Sequence, residues 1–86
     1  MESIIYQPAA SMLVIGDEIL SGRTQDTNSN FLALALTKKG INLSEIRIVP
    51  DKKSQIIYAV NELRHKYDYV FTSGGIGPTH DDITAD

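Results

Sequence analysis

The stretch YVFTSGGIGPT, residues 69–79, joins a short apolar run to a loop with three glycines. The run at residues 69–72 combines β-branched and aromatic side chains and predicts a buried strand. Because glycine has no Cβ, the loop backbone can approach a ligand and turn its N–H groups inward. Residues 81–84 predict the start of a helix, whose free N–H groups favour phosphate. The alternative is a plain turn between strand and helix.

The residues before this stretch predict two further strands and two helices. The apolar run 11–15 ends at Gly16 and predicts a buried strand, and a polar loop follows to residue 28. Thr27 or Asn28 is the predicted N-cap of a helix whose apolar face runs from residue 31 to residue 36. Gly40 is its predicted left-handed C-terminal cap.

Residues 42–49 alternate imperfectly between apolar and polar side chains and predict a second strand, which ends before Pro50. Asp51 is the predicted N-cap of the next helix. Ile56, Val60 and Leu63 share one face of that helix, and Ile57 and Ala59 are expected to widen it.

The predicted order is β-α-β-α-β-loop, with the start of a helix at the end. Strands joined by helices lie parallel, and such crossovers are right-handed in ~98% of cases. The sequence therefore predicts an α/β fold with a mostly parallel sheet. In open sheets of this kind, ligands bind at the carboxyl ends of the strands.

Composition limits the class of function. The chain has 86 residues, a formal net charge of −3 and no cysteine, so disulfides and thiolate chemistry are excluded. No basic run is longer than a lysine pair, which argues against a nucleic-acid partner. The apolar runs are too short to cross a bilayer, and the N-terminus lacks the pattern of a signal peptide. We therefore expect a cytoplasmic protein with no membrane partner.

Several carboxylates follow the ends of the predicted strands, and we take them as candidate site residues. They are Asp17, Glu18, Asp51, Asp81 and Asp82. Adjacent acids beside a phosphate loop would repel an anion unless a hard cation lay between them, so we expect Mg²⁺ or another divalent metal at Asp81 and Asp82. The alternatives are structural: Asp51 and one of the final pair as helix caps, and residues 17–18 as a solvated turn.

Four motifs in order resemble the molybdopterin-binding domain of molybdenum cofactor biosynthesis proteins. They are LVIGDEILSG at residues 13–22, DTN at 26–28, VPD at 49–51 and TSGGIGPTHDDIT at 72–84. Within that family the chain is most similar to the competence/damage-inducible protein A (CinA) branch. The resemblance implies a three-layer α/β/α domain of about twice this length, so residues 1–86 would be the N-terminal portion of one truncated domain.

The resemblance also implies roles for individual residues. Asp51 and Asp82 match the aspartates that serve catalysis and Mg²⁺ or nucleotide handling in the family's adenylyltransferases. The ligand-binding residues would be those of the glycine loop together with the two acids after the first strand. They are Gly74, Gly75, Gly77, Pro78, Thr79, Asp17 and Glu18. The adenylyltransferases have a basic residue at the place of Asp81 and lack the GDEIL start, so the chain departs from them at both places.

These observations leave three hypotheses open. The first is a CinA-type domain that binds a phosphorylated pterin, such as molybdopterin, or an adenine nucleotide at the glycine loop. The second is a metal-dependent ADP-ribose pyrophosphatase, in which Asp51 orients or deprotonates the attacking water. The third is a domain that binds without catalysis, or an inactive remnant. A homo-oligomer is a further expectation from the family.

Overall fold

A computed structural model describes residues 7–74 of the chain and the backbone of residues 83–84. Within this part, strands and helices alternate from the N-terminus. The elements are β1 (Ala9–Ile15), α1 (Asp17–Leu20), α2 (Asn28–Lys38), β2 (Asn42–Val49), α3 (Lys53–Lys66), β3 (Tyr69–Ser73) and β4 (Ile83–Thr84). The three predicted strands and both predicted helices are present, and β2 has the predicted bounds.

The described strands form one sheet in the order β2-β1-β3-β4. β1 pairs in parallel with β2, where Ile15 lies opposite Val49, and in parallel with β3, where Val14 lies opposite Ser73. β2 lies on one side of β1 and β3 lies on the other. The crossover from β1 to β2 and the crossover from β2 to β3 therefore run in opposite directions across the sheet. Right-handed crossovers in opposite directions place α2 and α3 on opposite faces, which gives the expected three layers.

The core forms around β1, which lies between two parallel neighbours and is buried along both faces. Leu13 and Ile15 pack with Ala59 and Leu63 of α3 and with Val70 of β3. The intervening side chains of β1 are also buried, which explains why this strand is a continuous apolar run rather than an alternating one.

Helix α2 ends as predicted. Gly40 has φ +79°, a conformation that glycine adopts readily. Its N–H donates to the carbonyl of Thr37, and the N–H of Ile41 donates to the carbonyl of Leu36. These two bonds form the Schellman motif, which satisfies carbonyls that the helix itself leaves free.

Three local predictions were wrong. The loop after β1 contains the helix α1. Asp17 and Glu18 lie in its first turn, where negative charges stabilise a helix by interacting with the positive end of its dipole. Asp51 does not cap α3: the N–H of Lys52 donates to the carbonyl of Pro50, and this tight turn uses Asp51 as its central residue. Ile57 does not widen the apolar face, since it is 48% exposed.

The end of the described chain also differs from the prediction. Ile83 and Thr84 do not begin a helix but form β4, which pairs antiparallel with Phe71 and Val70 of β3. Both residues are β-branched and suit an extended backbone, and β3 offers them a free edge. No helix in the described part of the chain is long and apolar enough to span a membrane.

Candidate functional site

The carboxyl ends of the three parallel strands meet at one edge of the sheet, as predicted. The N–H of Gly16, directly after β1, donates to the carbonyl of Val49 at the end of β2, over 3.0 Å. Ser73, the last residue of β3, pairs with Val14. Asp51 lies at the same edge, since its N–H donates to Asp17 Oδ1 over 3.4 Å. The polar residues that follow the strands are therefore close together.

Gly74 begins the glycine loop in a backbone conformation that favours glycine. Its φ is +83°, in the left-handed region, and a Cβ at this position would collide with the carbonyl oxygen of Ile15. A side chain here would strain its own backbone and push the loop away from β1. The first residue of the loop therefore packs closely against β1. The approach of the loop to a ligand, which is what the glycines predict, stays a prediction.

A pocket of about 200 Å³ opens at this edge, between the loop after β1 and the end of β3. Its polar lining comes from both sides of that gap. These residues are Glu18, Thr24, Gln25, Asp26, Thr27, Asn28 and Ser73, with Gly74 at the mouth of the glycine loop. Val14, Ile15 and Ile19 provide an apolar wall. The pocket thus combines two carboxylates, two side-chain amides and several hydroxyl groups with an apolar wall. Such a lining suits a polar ring or a sugar.

Helix α1 separates the two acids that follow β1. Glu18 is half-buried and lines the pocket, whereas Asp17 is exposed and accepts the N–H of Asp51. Asp17 therefore connects β1 to the β2–α3 turn and is not among the residues that line the pocket. Asp51 is exposed and does not line it either. Of the predicted site residues that the structure describes, Glu18 and Gly74 are the two in the pocket.

Asp26 is a pocket residue that was not predicted as a site residue from the sequence. Its Oδ1 accepts the N–H of Ser29 over 3.2 Å, and its Oδ2 accepts the Ser29 hydroxyl over 2.6 Å. Ser29 is buried. Of the two predicted caps, Thr27 occupies the N-cap position but makes no side-chain cap bond, and Asn28 is the first residue of the helix. The signal available in the sequence was Asp26, the first residue of the DTN motif, three positions before Ser29.

The described residues do not by themselves form a metal site. Within residues 7–74 and 83–84, no group of three histidine and acidic side chains is arranged to hold a metal ion. Both oxygens of Asp26 are engaged by Ser29, which leaves Glu18 as the less constrained carboxylate of the pocket. The predicted metal ligands Asp81 and Asp82 lie outside the described residues. So do the predicted ligand-binding residues Gly75, Gly77, Pro78 and Thr79.

A second polar cluster joins the outer strand β2 to α3 on one face of the sheet. Arg47 donates to Glu45 and to Glu62, Tyr67 donates to Glu45 Oε1 over 2.7 Å, and Tyr58 donates to Glu62 over 3.1 Å. The hydrogen bond from Tyr67, and then that from Arg47, lowers the pKa of Glu45. The bond from Arg47 likewise lowers the pKa of Glu62. This cluster was not predicted from the sequence, because its members come together only when α3 packs on β2.

Comparison with known proteins agrees with this fold. A family model described as a probable molybdopterin binding domain matches residues 11–86. The chain is 55% identical over 75 residues to a probable FAD synthase of Caenorhabditis briggsae, with 87% of this chain and 14% of that protein covered. It is 45% identical over 75 residues to a CinA-like protein of Flavobacterium psychrophilum, covering 87% of this chain and 18% of that protein.

A solved structure is also similar. The crystal structure of CinA from Thermoplasma acidophilum superposes with a TM-score of 0.78 at 37% identity, over 85% of this chain and 43% of that one. The chain thus spans 14% to 18% of the two curated relatives described above. On the family model, the shared sequence and the shared fold, the chain belongs to the family of probable molybdopterin-binding domains and is CinA-like within it.

Proposed function

We propose that this domain binds an adenine nucleotide or a phosphorylated pterin at the carboxyl edge of its sheet. The observation that carries the proposal is the position of Gly74. A residue that tolerates no Cβ starts the glycine loop directly beside a polar pocket. Backbone N–H groups of such a loop are suited to phosphate, and the pocket next to it is suited to the rest of the ligand.

The charges of the pocket support one orientation of the ligand. Glu18 and Asp26 would repel phosphate, so the phosphates belong on the side of the glycine loop. Carboxylate oxygens accept hydrogen bonds, and the hydroxyls of a ribose or the ring N–H groups of a pterin are donors that match them. A volume of about 200 Å³ suits part of a ligand rather than a whole dinucleotide.

The names of the relatives favour a compound with an adenosine diphosphate group as the first ligand to test. The proteins of Caenorhabditis briggsae and Caenorhabditis elegans at 55% identity are both named probable FAD synthase. We therefore place FAD and ADP-ribose, which share an adenosine diphosphate group, ahead of molybdopterin. The metal-dependent hydrolysis of ADP-ribose is the second candidate activity.

The test is amide chemical-shift mapping on the full chain, titrated with FAD, ADP-ribose, ATP and molybdopterin, each with and without Mg²⁺. We expect the largest shifts at Glu18, Asp26 and Gly74, with saturation. Tyr58 lines two other surface pockets. The backbone amides around it therefore serve as the internal control for binding elsewhere on the surface. Saturable shifts confined to α3, or none with any ligand, would refute the proposed site.

Turnover of each ligand is measured in the same samples. If Asp51 and Asp82 are acid–base or metal residues, Asp51→Asn and Asp82→Asn keep the fold and reduce turnover by roughly a hundred-fold or more. Equal rates in the variants and the unmodified protein show that neither aspartate is catalytic. Binding without turnover of any ligand leaves a domain that binds and does not catalyse.

A further inference from the structure

The outer edge of β2 is unpaired in the described sheet, since β2 is the first strand in the order β2-β1-β3-β4. The carbonyl of Val49 points toward β1, because it accepts the N–H of Gly16. Backbone groups alternate along a strand, so those of Arg47 also point toward β1 and those of Ile46 and Ile48 point away from it. Two residues of β2 therefore present both an N–H and a carbonyl along the free edge.

The side chains of this edge are self-complementary about Ile46. In an antiparallel pair of two β2 strands centred on Ile46, each Glu45 lies opposite an Arg47 of the other copy. The two Ile46 residues lie opposite each other, and each exchanges N–H and carbonyl bonds with its counterpart. Glu45 and Arg47 share the face that α3 covers, and both are three-quarters buried already.

Neighbouring registers lack this complementarity. A pair centred on Arg47 places the two guanidinium groups directly opposite each other, and like charges there are destabilising. A pair centred on Ile48 brings Pro50 into the ladder, where it has no N–H to donate. The bulge between β1 and β2 at Ala10 and Ser11 interrupts regular pairing before Glu45, so the regular edge begins at that residue.

We propose that this edge pairs with the same edge of a second copy of the chain, about a twofold axis at Ile46, so that the two sheets become one. The pairing covers the side chain of Ile46, which is 47% exposed. It also brings the second copy beside Tyr58, which is 64% exposed on α3 and lines an open pocket next to Arg47 and Ile48. Exposed tyrosine next to an unpaired edge is typical of a protein interface.

A cysteine cross-link tests the axis directly, because the chain has no cysteine of its own. Residues that exchange hydrogen bonds across an antiparallel pair have Cα atoms about 5.5 Å apart, within the range of a disulfide. Ile46→Cys is therefore expected to form a covalent dimer under mild oxidation. Ser44→Cys is the matched control, exposed on the same strand, and its two copies would lie about 14 Å apart.

Sedimentation equilibrium tests the hydrogen bonds. Proline is tolerated at an edge position whose N–H faces solvent, so Ile46→Pro is expected to leave the monomer folded. It removes both symmetry-related N–H donors, and we expect the dimer to weaken by about ten-fold or more. Ile46→Val keeps the donor and the branched side chain and serves as the control. Circular dichroism checks that each variant is folded.

The expected result is a dimer of the unmodified chain, weakened by proline and trapped by the cysteine at position 46. A monomer at all concentrations would overturn the proposal. So would cross-linking that is equally fast at positions 44 and 46, or a dimer that Ile46→Pro and Ile46→Val weaken equally. A larger closed oligomer would place the contact on another surface.

Discussion

Gly74 and Gly22 have nearly the same φ angle and different surroundings. Their φ values are +83° and +84°, but a Cβ on Gly74 would collide with the carbonyl of Ile15, whereas a Cβ on Gly22 would have nothing within 4 Å. The comparison separates the intrinsic strain of a left-handed residue from the contact that brings the glycine loop to β1.

Gly22→Ala should destabilise the domain by about 1–2 kcal/mol, the strain of a left-handed alanine. Gly74→Ala should be more destabilising and should also weaken nucleotide binding, because the loop must move away from Ile15. Urea unfolding gives the first quantity and calorimetric titration with ADP-ribose the second. If both variants lose the same stability and keep the same affinity, the close approach at Gly74 has no functional role.

Single residues were predicted with unequal success. Gly40 was predicted correctly, because a left-handed helix end selects glycine by local sterics alone. Asp51 was misjudged as a helix cap, since a turn closed by Pro50 and Lys52 shifts the helix start by one residue. Asp26 was missed because its role depends on its hydrogen bonds to Ser29. Capping propensities alone do not show which of several polar residues before a helix makes such bonds.

At the scale of elements, the start of α2 depends on a residue outside the helix. Thr27 occupies the N-cap position without a side-chain cap bond, and Asp26 instead binds the N–H and hydroxyl of Ser29. The same carboxylate lines the candidate pocket, so the helix start and the pocket wall share one side chain. A change at Asp26 is therefore expected to affect both.

Asp26→Ala should lower the free energy of unfolding by about 1 kcal/mol, the usual effect of losing a cap. Asp26→Asn should retain most of that stability, because an amide oxygen can still accept the Ser29 N–H. Thr27→Ala is the control and should change stability little. Thermal unfolding of the three variants decides the question, and a greater loss in Thr27→Ala than in Asp26→Ala would contradict the assignment.

The elements themselves were largely predictable. β1 and β2 differ in pattern because β1 is covered on both faces and β2 lies at the outer edge, and both patterns indicated strands. The short helix α1 escaped prediction because four residues carry too little periodicity to reveal a helix. The extended backbone of Ile83 and Thr84 depends on pairing with β3, a contact between distant parts of the chain.

For the whole molecule, the order of strands and helices determined the topology and hence the edge of the sheet that carries the candidate site. The direction of each crossover is a general property of L-amino acids, so it follows from element order alone. The lining of the pocket does not follow from element order, because Glu18 and Asp26 reach the pocket only after α1 forms and α2 packs on the sheet. The polar cluster of Glu45, Arg47 and Glu62 is likewise a product of packing between distant residues.

That cluster makes the stability of the whole domain depend on pH. The pKa of Glu45 is lowered from 4.5 in the folded chain, first by the hydrogen bond from Tyr67. The unfolded chain therefore binds a proton at this residue at a higher pH than the folded chain does. Stability from this residue is present above 4.5, its ordinary pKa, and is lost as the pH falls through the lower folded value.

Tyr67→Phe should raise the pKa of Glu45 toward its ordinary value and flatten the loss of stability in acid. Tyr58→Phe removes a bond to Glu62 instead and should leave the pKa of Glu45 unchanged. Carboxyl carbon shifts followed by NMR through the acid range give the pKa values, and urea unfolding gives the stability. A pKa of Glu45 that moves equally in both variants would show that Tyr67 is not its main partner.

The central place of β1 has a consequence for the order in which the chain is made. Its first residue, Ala9, is held by Asp68, which lies 59 residues further along the chain. At ribosomal rates of about 5–20 residues per second, roughly 3–12 seconds pass between their synthesis. During that interval β1, an apolar strand, has been synthesised but its second neighbour β3 has not. An apolar strand that lacks a neighbour is prone to aggregation. The finished sheet, in which β1 is paired on both sides, no longer carries this hazard.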